Sequence, residues 1–278
     1  MKKAKKGNLS TVILILVFIA GLSLLLYPTV SDYWNSFHQT RAIAQYAEQV
    51  ANLDEGAYEE LFAEAEKYNH SLIGKENRFL MTEEERTEYE SILNISDSGI
   101  MGYIEIPKIK VELPIYHGTA ESVLQIAVGH VEGSSLPVGG EGTHCVLSGH
   151  RGLPSARLFT DLDELVEGDI FIIQVLNRTL TYEIDQIRIV DPDELDDLEI
   201  EENKDYCTLV TCTPYGINTH RMLVRGHRIE NSNAHKVEVT ADATAIDPVM
   251  VAPLVAAPIL LILLMVLLWK TRKKKRGV

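Results

Sequence analysis

Cysteine is scarce in this chain, three residues in 278. Three thiols cannot all pair, so a disulfide-stapled framework is excluded, and in an extracytoplasmic protein at least one thiol stays free or reactive. Basic charge is scarce away from the termini. Ten of the 26 Lys and Arg residues lie in two terminal tails, which leaves 16 basic against 40 acidic residues between them, a formal balance of minus 24. Such a surface repels phosphate backbones and argues against nucleic acid as a partner; it serves solubility first. Metal-ligand clustering is missing too: His144 and Cys145 are neighbours, but consecutive strand residues point to opposite faces, so no metal is assigned to them and His150, and no cofactor. Internal repeats are absent.

Two runs carry no charge at all, Leu9 to Tyr27 and Pro248 to Trp269, and each is long enough to cross a hydrocarbon core as a helix. Lys2, Lys3, Lys5 and Lys6 precede the first. Lys270, Arg272, Lys273, Lys274, Lys275 and Arg276 follow the second, so the positive-inside rule puts both termini in the cytoplasm and the middle outside. A cleaved signal peptide is the competing reading of the first run, but no Ala-x-Ala-like site follows Tyr27. Pro248, Pro253 and Pro258 weaken the second helix in its outer half, which a bilayer helix tolerates. The expected order is a basic tail (1–8), an anchor (9–27), a helical arm (28–98), a β-rich catalytic domain (99–231), a juxtamembrane stalk (232–247), a second transmembrane helix (248–269) and a basic tail (270–278).

The chemistry concentrates in two short stretches. Cys207 to Cys212 has strand propensity, and Pro214 and Gly216 stop it, which puts Cys212 at a strand's end. Thr143 to Ser148 also reads as a strand, ended by Gly149, Gly152 and Pro154 where His150 appears. Arg221 opens the next strand, Arg221 to Arg225, so a short connection returns it beside Cys212. Thiol, imidazole and guanidinium together can attack a carbonyl and stabilise the oxyanion: a cysteine is a nucleophile as thiolate, and a nearby cation favours that form. Each residue alone has a plainer role, as buried hydrophobe, turn residue or solvent-facing cation.

The chain resembles the class C sortases, pilin-polymerising cysteine transpeptidases of Gram-positive bacteria. The likeness runs from about Gly102 to Ile229 through Gly102-Tyr-Ile-Glu-Ile-Pro107, Ile115-Tyr-His-Gly-Thr119, Gly129-His-Val-Glu-Gly133, Ser135-Leu-Pro-Val-Gly-Gly140, Ser148-Gly-His-Arg-Gly-Leu-Pro-Ser155, Thr208-Leu-Val-Thr-Cys-Thr-Pro-Tyr-Gly216 and Asn218-Thr-His-Arg-Met-Leu-Val-Arg-Gly226. The resemblance implies a mainly β fold, an eight-stranded sortase barrel, with His150, Cys212 and Arg221 as the catalytic residues. It implies cleavage of a Leu-Pro-X-Thr-Gly-like sorting signal after the threonine, a thioester on Cys212, and transfer to a pilin lysine. The expected partners are therefore pilin subunits bearing sorting signals and acceptor lysines, and the membrane. A sortase that uses a peptidoglycan amine is the alternative; a non-enzymatic assembly scaffold conflicts with an intact Cys212, His150 and Arg221. Cys145 and Cys207, each five residues before a catalytic residue, are expected to be neighbours and to stay buried and reduced, since adjacent parallel strands rarely offer disulfide geometry.

The stretch from about Ser31 to Asp97 is poor in glycine and rich in Glu and Ala, and reads as helical. Ile43, Tyr46 and Val50, then Tyr58, Leu61, Phe62 and Ala65, form stripes at helical spacing. Thr82 and Glu85 match a capping box for a helix running to Leu93. A further helix is expected near Ser155 to Leu162. Many class C sortases carry an Asp-Pro-aromatic lid in the arm; no Asp-Pro dipeptide occurs between Ser31 and Asp97, and Asn77 to Thr82 occupies that interval. The departure leads to the expectation of an open site, against the alternative that Phe79, Leu80 and Met81 close it by other contacts.

Overall fold

The structure, a computed structural model, describes residues 9–95, 98–231 and four positions of the C-terminal segment, 258, 260, 262 and 265. The chain divides into two compact units, Asn35–Val239 and a terminal unit of Met1–Trp34 with Thr240–Val278. Among the described residues one helix, Ile13–Ala51, is long and apolar enough to cross a membrane, with a mean hydropathy of 2.5 over its most apolar window and none of that window buried. The second apolar run, 248–269, lies outside the described residues except at those four positions.

The larger unit holds a closed barrel preceded by helices. Helix α1 spans Leu9–Ala51, α2 Glu55–Leu72 and α3 Glu83–Ser91. The strands are β1 (Ile100–Ile106), β2 (Val111–His117), β3 (Val128–His130), β4 (Thr143–Ser148), β5 (Ile170–Val175), β6 (Arg178–Val190), β7 (Asp205–Thr213) and β8 (His220–Ile229), with a one-turn helix α4 (Glu121–Leu124) before β3. They close in the order β1-β2-β3-β4-β7-β8-β6-β5. Closure leaves no unpaired edge in the sheet.

Local signals account for the helices. Asp54 caps α2 by accepting from the Ala57 amide at 2.8 Å. Thr82 and Glu85 form the reciprocal capping box at the start of α3. That helix stops at Ser91, two residues short of the expected Leu93, which takes the left-handed conformation at φ 60°. Ile43, Tyr46, Val50, Phe62 and Ala65 are buried, and Tyr58 and Leu61 pack against the same core. No helix forms over Ser155 to Leu162. Leu158 is left-handed at φ 41° and the segment runs as turns into a short 3-10 turn, Leu162–Glu164, because Ala156, Leu158, Phe159 and Leu162 bury separately into the core rather than along one helical face.

Alternation along β4 and β7 separates two faces. Cys145, Leu147, Cys207 and Leu209 point into the barrel and join its main core, while Val146 and Val210 point outward into a smaller apolar cluster with Val190, Leu198 and Leu223. The arm is fastened to the barrel by a buried phenol: Tyr46 donates to the Met101 carbonyl at 2.9 Å and accepts from the Leu176 amide at 2.8 Å. On the outer face His144 is nearly enclosed. Its Nδ1 donates to the Glu199 carbonyl at 2.8 Å, so Nε2 accepts from the Thr208 hydroxyl at 2.7 Å, and burial pulls the imidazole down to about 4.

Two outcomes follow from these buried groups. Tyr46→Phe strands the Leu176 amide and the Met101 carbonyl, so denaturant unfolding should show a loss of about 1–3 kcal/mol. The unfolded chain protonates His144 near its ordinary value of 6.5, whereas the folded chain holds it neutral to about 4. Its contribution to stability is therefore present above 6.5 and lost as the pH falls through that window, by about 1.4 kcal/mol per pH unit. His144→Gln should remove one proton from the slope of stability against pH between those limits; an unchanged slope would refute the assignment.

Candidate active site

The site is built by two strand pairings. β4 and β7 run parallel with a constant offset of 62 residues, from Thr143 opposite Asp205 to Ser148 opposite Val210. Backbone contact continues past the strand end, where the Gly149 amide donates to the Val210 carbonyl at 3.0 Å and the Thr211 hydroxyl donates to the Gly149 carbonyl at 2.8 Å. The same offset, carried two residues beyond the last pair, brings His150 to the register position of Cys212. β7 and β8 run antiparallel and set Cys212 directly opposite Arg221. Arg221 in turn faces Val190 of β6. The three expected residues are thus brought to one rim of the barrel, and all three are partly exposed.

Each side chain is held differently. Cys212 lies on the outer face, two residues from Val210 and at the end of the strand, where the backbone turns away. Arg221 is tied to its own loop, Nη1 donating to the carbonyls of His220 at 3.1 Å and Asn218 at 3.3 Å. His150 Nε2 lies 3.7 Å from Glu121 Oε2, at the start of α4. Glu121 was not singled out by the sequence: it is one acid in the polar stretch Thr119 to Ser122, and nothing periodic marks it.

The remaining cysteines form a closed pair. Cys145 and Cys207 are direct partners in the β4–β7 ladder, both fully buried, and all three cysteines are free thiols. Burial pushes Cys207 well above the ordinary thiol range, and it donates to Cys145. Among the described residues no cluster of His, Cys, Asp or Glu is arranged to hold a metal ion.

The segment Asn77 to Met81 is docked on the barrel through Arg78 and Phe79. Arg78 is buried, and its guanidinium donates to the Gly133 carbonyl at 2.9 Å and to the Leu198 carbonyl at 2.5 Å. Gly133, at φ 82°, admits the strap: a Cβ there would lie 2.1 Å from the Arg78 carbonyl oxygen. Phe79 packs on the outer apolar cluster of Val146, Val190, Leu198 and Leu223, under the Arg78 guanidinium 4.2 Å from its ring centre. That cluster shares its sheet face with Cys212. The strap therefore lies on the face that carries Cys212 without an Asp-Pro pair, and Leu80 remains exposed.

The Sortase domain family matches residues 104–229. Among solved structures, sortase C1 from Streptococcus agalactiae is 56% identical, with a TM-score of 0.66 over 69% of this chain and 99% of that one. The sortase C1 of GBS pilus island 1 is 40% identical, with a TM-score of 0.63 over 74% of this chain and 96% of that one. Sortase D of Bacillus subtilis is 36% identical over 131 residues, which make up 46% of this chain and span 63% of that protein's length. With the barrel closed in this order and a cysteine, a histidine and an arginine at one rim, the chain belongs to the sortase family of cysteine transpeptidases and falls with its class C members.

Proposed function

We propose that this sortase polymerises pilin subunits, using Cys212 as nucleophile, His150 as the general acid and base, and Arg221 as the oxyanion-stabilising cation. The observation that carries the residue roles is the convergence of three strand ends at one rim, with Cys212 opposite Arg221 and His150 at its register position. In this reading the Cys212 thiolate attacks the threonine carbonyl of a Leu-Pro-X-Thr-Gly-like signal, and the tetrahedral oxyanion is stabilised by the guanidinium. Collapse expels the glycine amine, which takes a proton from His150 and leaves a thioester. A lysine amine then attacks the thioester, gives up its proton to His150 and releases the thiolate, with an isopeptide bond as product.

The likeness to a sortase from a pilus island, which covers 74% of this chain, favours a pilin lysine over a peptidoglycan amine as acceptor. The uncharged runs 9–27 and 248–269 with their basic flanks support a membrane location with the barrel outside. Incubation of the enzyme with a candidate pilin, followed by mass spectrometry of the cross-linked residues, tests the acceptor. A threonine-lysine isopeptide supports the reading; attachment only to peptidoglycan amines overturns it.

Cys212→Ala and His150→Ala should each abolish transfer while leaving the melting temperature nearly unchanged, since neither side chain belongs to the core. Unfolding of either variant would make that residue structural. Arg221→Lys should also be strongly impaired, because an ammonium cannot reproduce the planar fork at an oxyanion; near-normal turnover would remove Arg221 from the chemistry. The strap bears on access: releasing Phe79 from its cluster by Phe79→Ala should speed alkylation of Cys212 severalfold, while Cys145 and Cys207 react only on unfolding. An unchanged labelling rate would show that the strap does not guard the thiol.

A further inference from the structure

We propose that Arg151 is a positioning residue for transfer, clamping the loop that carries His150 onto the strand end that carries Cys212. The inference rests on the roles given above to those two residues. Arg151 follows His150 directly, yet its side chain is only 10% exposed. Its Nη2 donates to Asp163 in the turn beyond the loop, and Nη1 reaches the Thr213 hydroxyl, next to Cys212, at 3.5 Å. Its buried Nε has no hydrogen-bond partner among the described residues. The neighbouring residues are tied to the same strand end. Gly149 is held by Thr211, and Gly152, at φ 77°, lies against the Tyr215 ring, where a Cβ would come within 2.9 Å. The Arg151 guanidinium lies 6.0 Å from the centre of that ring. Loop residues 149, 151 and 152 are thus pinned to 211, 213 and 215, the residues on alternate positions around Cys212.

Stability alone is a poor reason for this arrangement. Asp163 is half exposed, so its ion pair with Arg151 adds little to stability, and the buried Nε left without a partner subtracts from it. What an apolar residue would not supply is a rigid fork joining two loops. The register fixes His150 to within a residue; the fork fixes the loop within that. A misplacement of about 1 Å between reacting groups can lower a rate by about 10².

The test uses the full chain in detergent, a fluorescent Leu-Pro-Glu-Thr-Gly peptide and hydroxylamine as the amine, with competent enzyme counted by alkylation of Cys212. Arg151→Met should lower kcat per titratable thiol about 10- to 100-fold, with KM for the peptide within about twofold and the melting temperature unchanged or higher. Arg151→Lys, which keeps the charge for Asp163 but not the span to Thr213, should recover part of that loss. Thr213→Val should cost little more in the Arg151→Met background, because the contact is already gone. Wild-type kcat in Arg151→Met, or a raised KM with kcat intact, overturns the clamp. Should Arg151→Met fail to fold, Arg151→Lys and Asp163→Asn decide: wild-type kcat in both also overturns it. Cys212→Ala and His150→Ala run alongside. If either still transfers, the underlying site reading fails and the clamp with it; if both are inactive while the Arg151 variants are normal, the clamp alone fails.

Discussion

β4 and β7 lie side by side in parallel, and their inward side chains are packed into the barrel as matched pairs, Cys145 with Cys207 and Leu147 with Leu209. A slip of one residue in either strand would turn that strand's two inward side chains out to the opposite face and bring Val146 or Val210 in. The core therefore holds the register, and the register delivers His150 and Cys212 to the same height at the rim. The antiparallel partner β8 adds Arg221 to that row. What looks like a chemical arrangement is at its root a packing constraint, with the two core thiols serving as small hydrophobes in the strands that present the site.

The outward face of the same ladder carries a second layer of meaning. Because side chains alternate, every residue in register with Cys212 on that face is available either to the strap or to a ligand. Val146, Val210 and Leu223 make an apolar platform, and Phe79 occupies it. Arg78 secures the strap through two carbonyl groups on different loops, so it binds by backbone recognition and does not depend on a particular side chain partner. The row that holds Cys212 is thus continuous with a surface that the arm already covers.

The parts of this arrangement visible in the sequence are those written in local or periodic signals. Strand ends at Ser148 and Cys212 are marked by Gly and Pro, the arm's stripes at Ile43, Tyr46 and Val50 by helical spacing, and the start of α3 by its capping box. Arg221 opposite Cys212 follows from a short connection between consecutive strands. Where tertiary packing decides, the sequence is silent or misleading. Ser155 to Leu162 has helical composition but is drawn into turns by separate burial of its apolar residues. The strap lacks the dipeptide by which such segments are known, and its docking depends on a glycine 55 residues away in sequence, Gly133 against Arg78. Glu121, Asp163 and Thr213 are ordinary residues in sequence and acquire significance through the loops that meet them.

The parallel pairing also bears on how such a protein can diversify. Between His150 and the start of β7 the chain makes a long excursion through β5, β6 and the acidic connection from Asp191 to Lys204, and returns to a partner strand whose alignment owes nothing to the length of that excursion. Residues can be gained or lost in the exposed parts of that connection, away from Leu198 and Glu199 that hold Arg78 and His144, without changing that alignment. The surroundings of the rim can therefore change through insertions and deletions while His150 keeps its place at the height of Cys212.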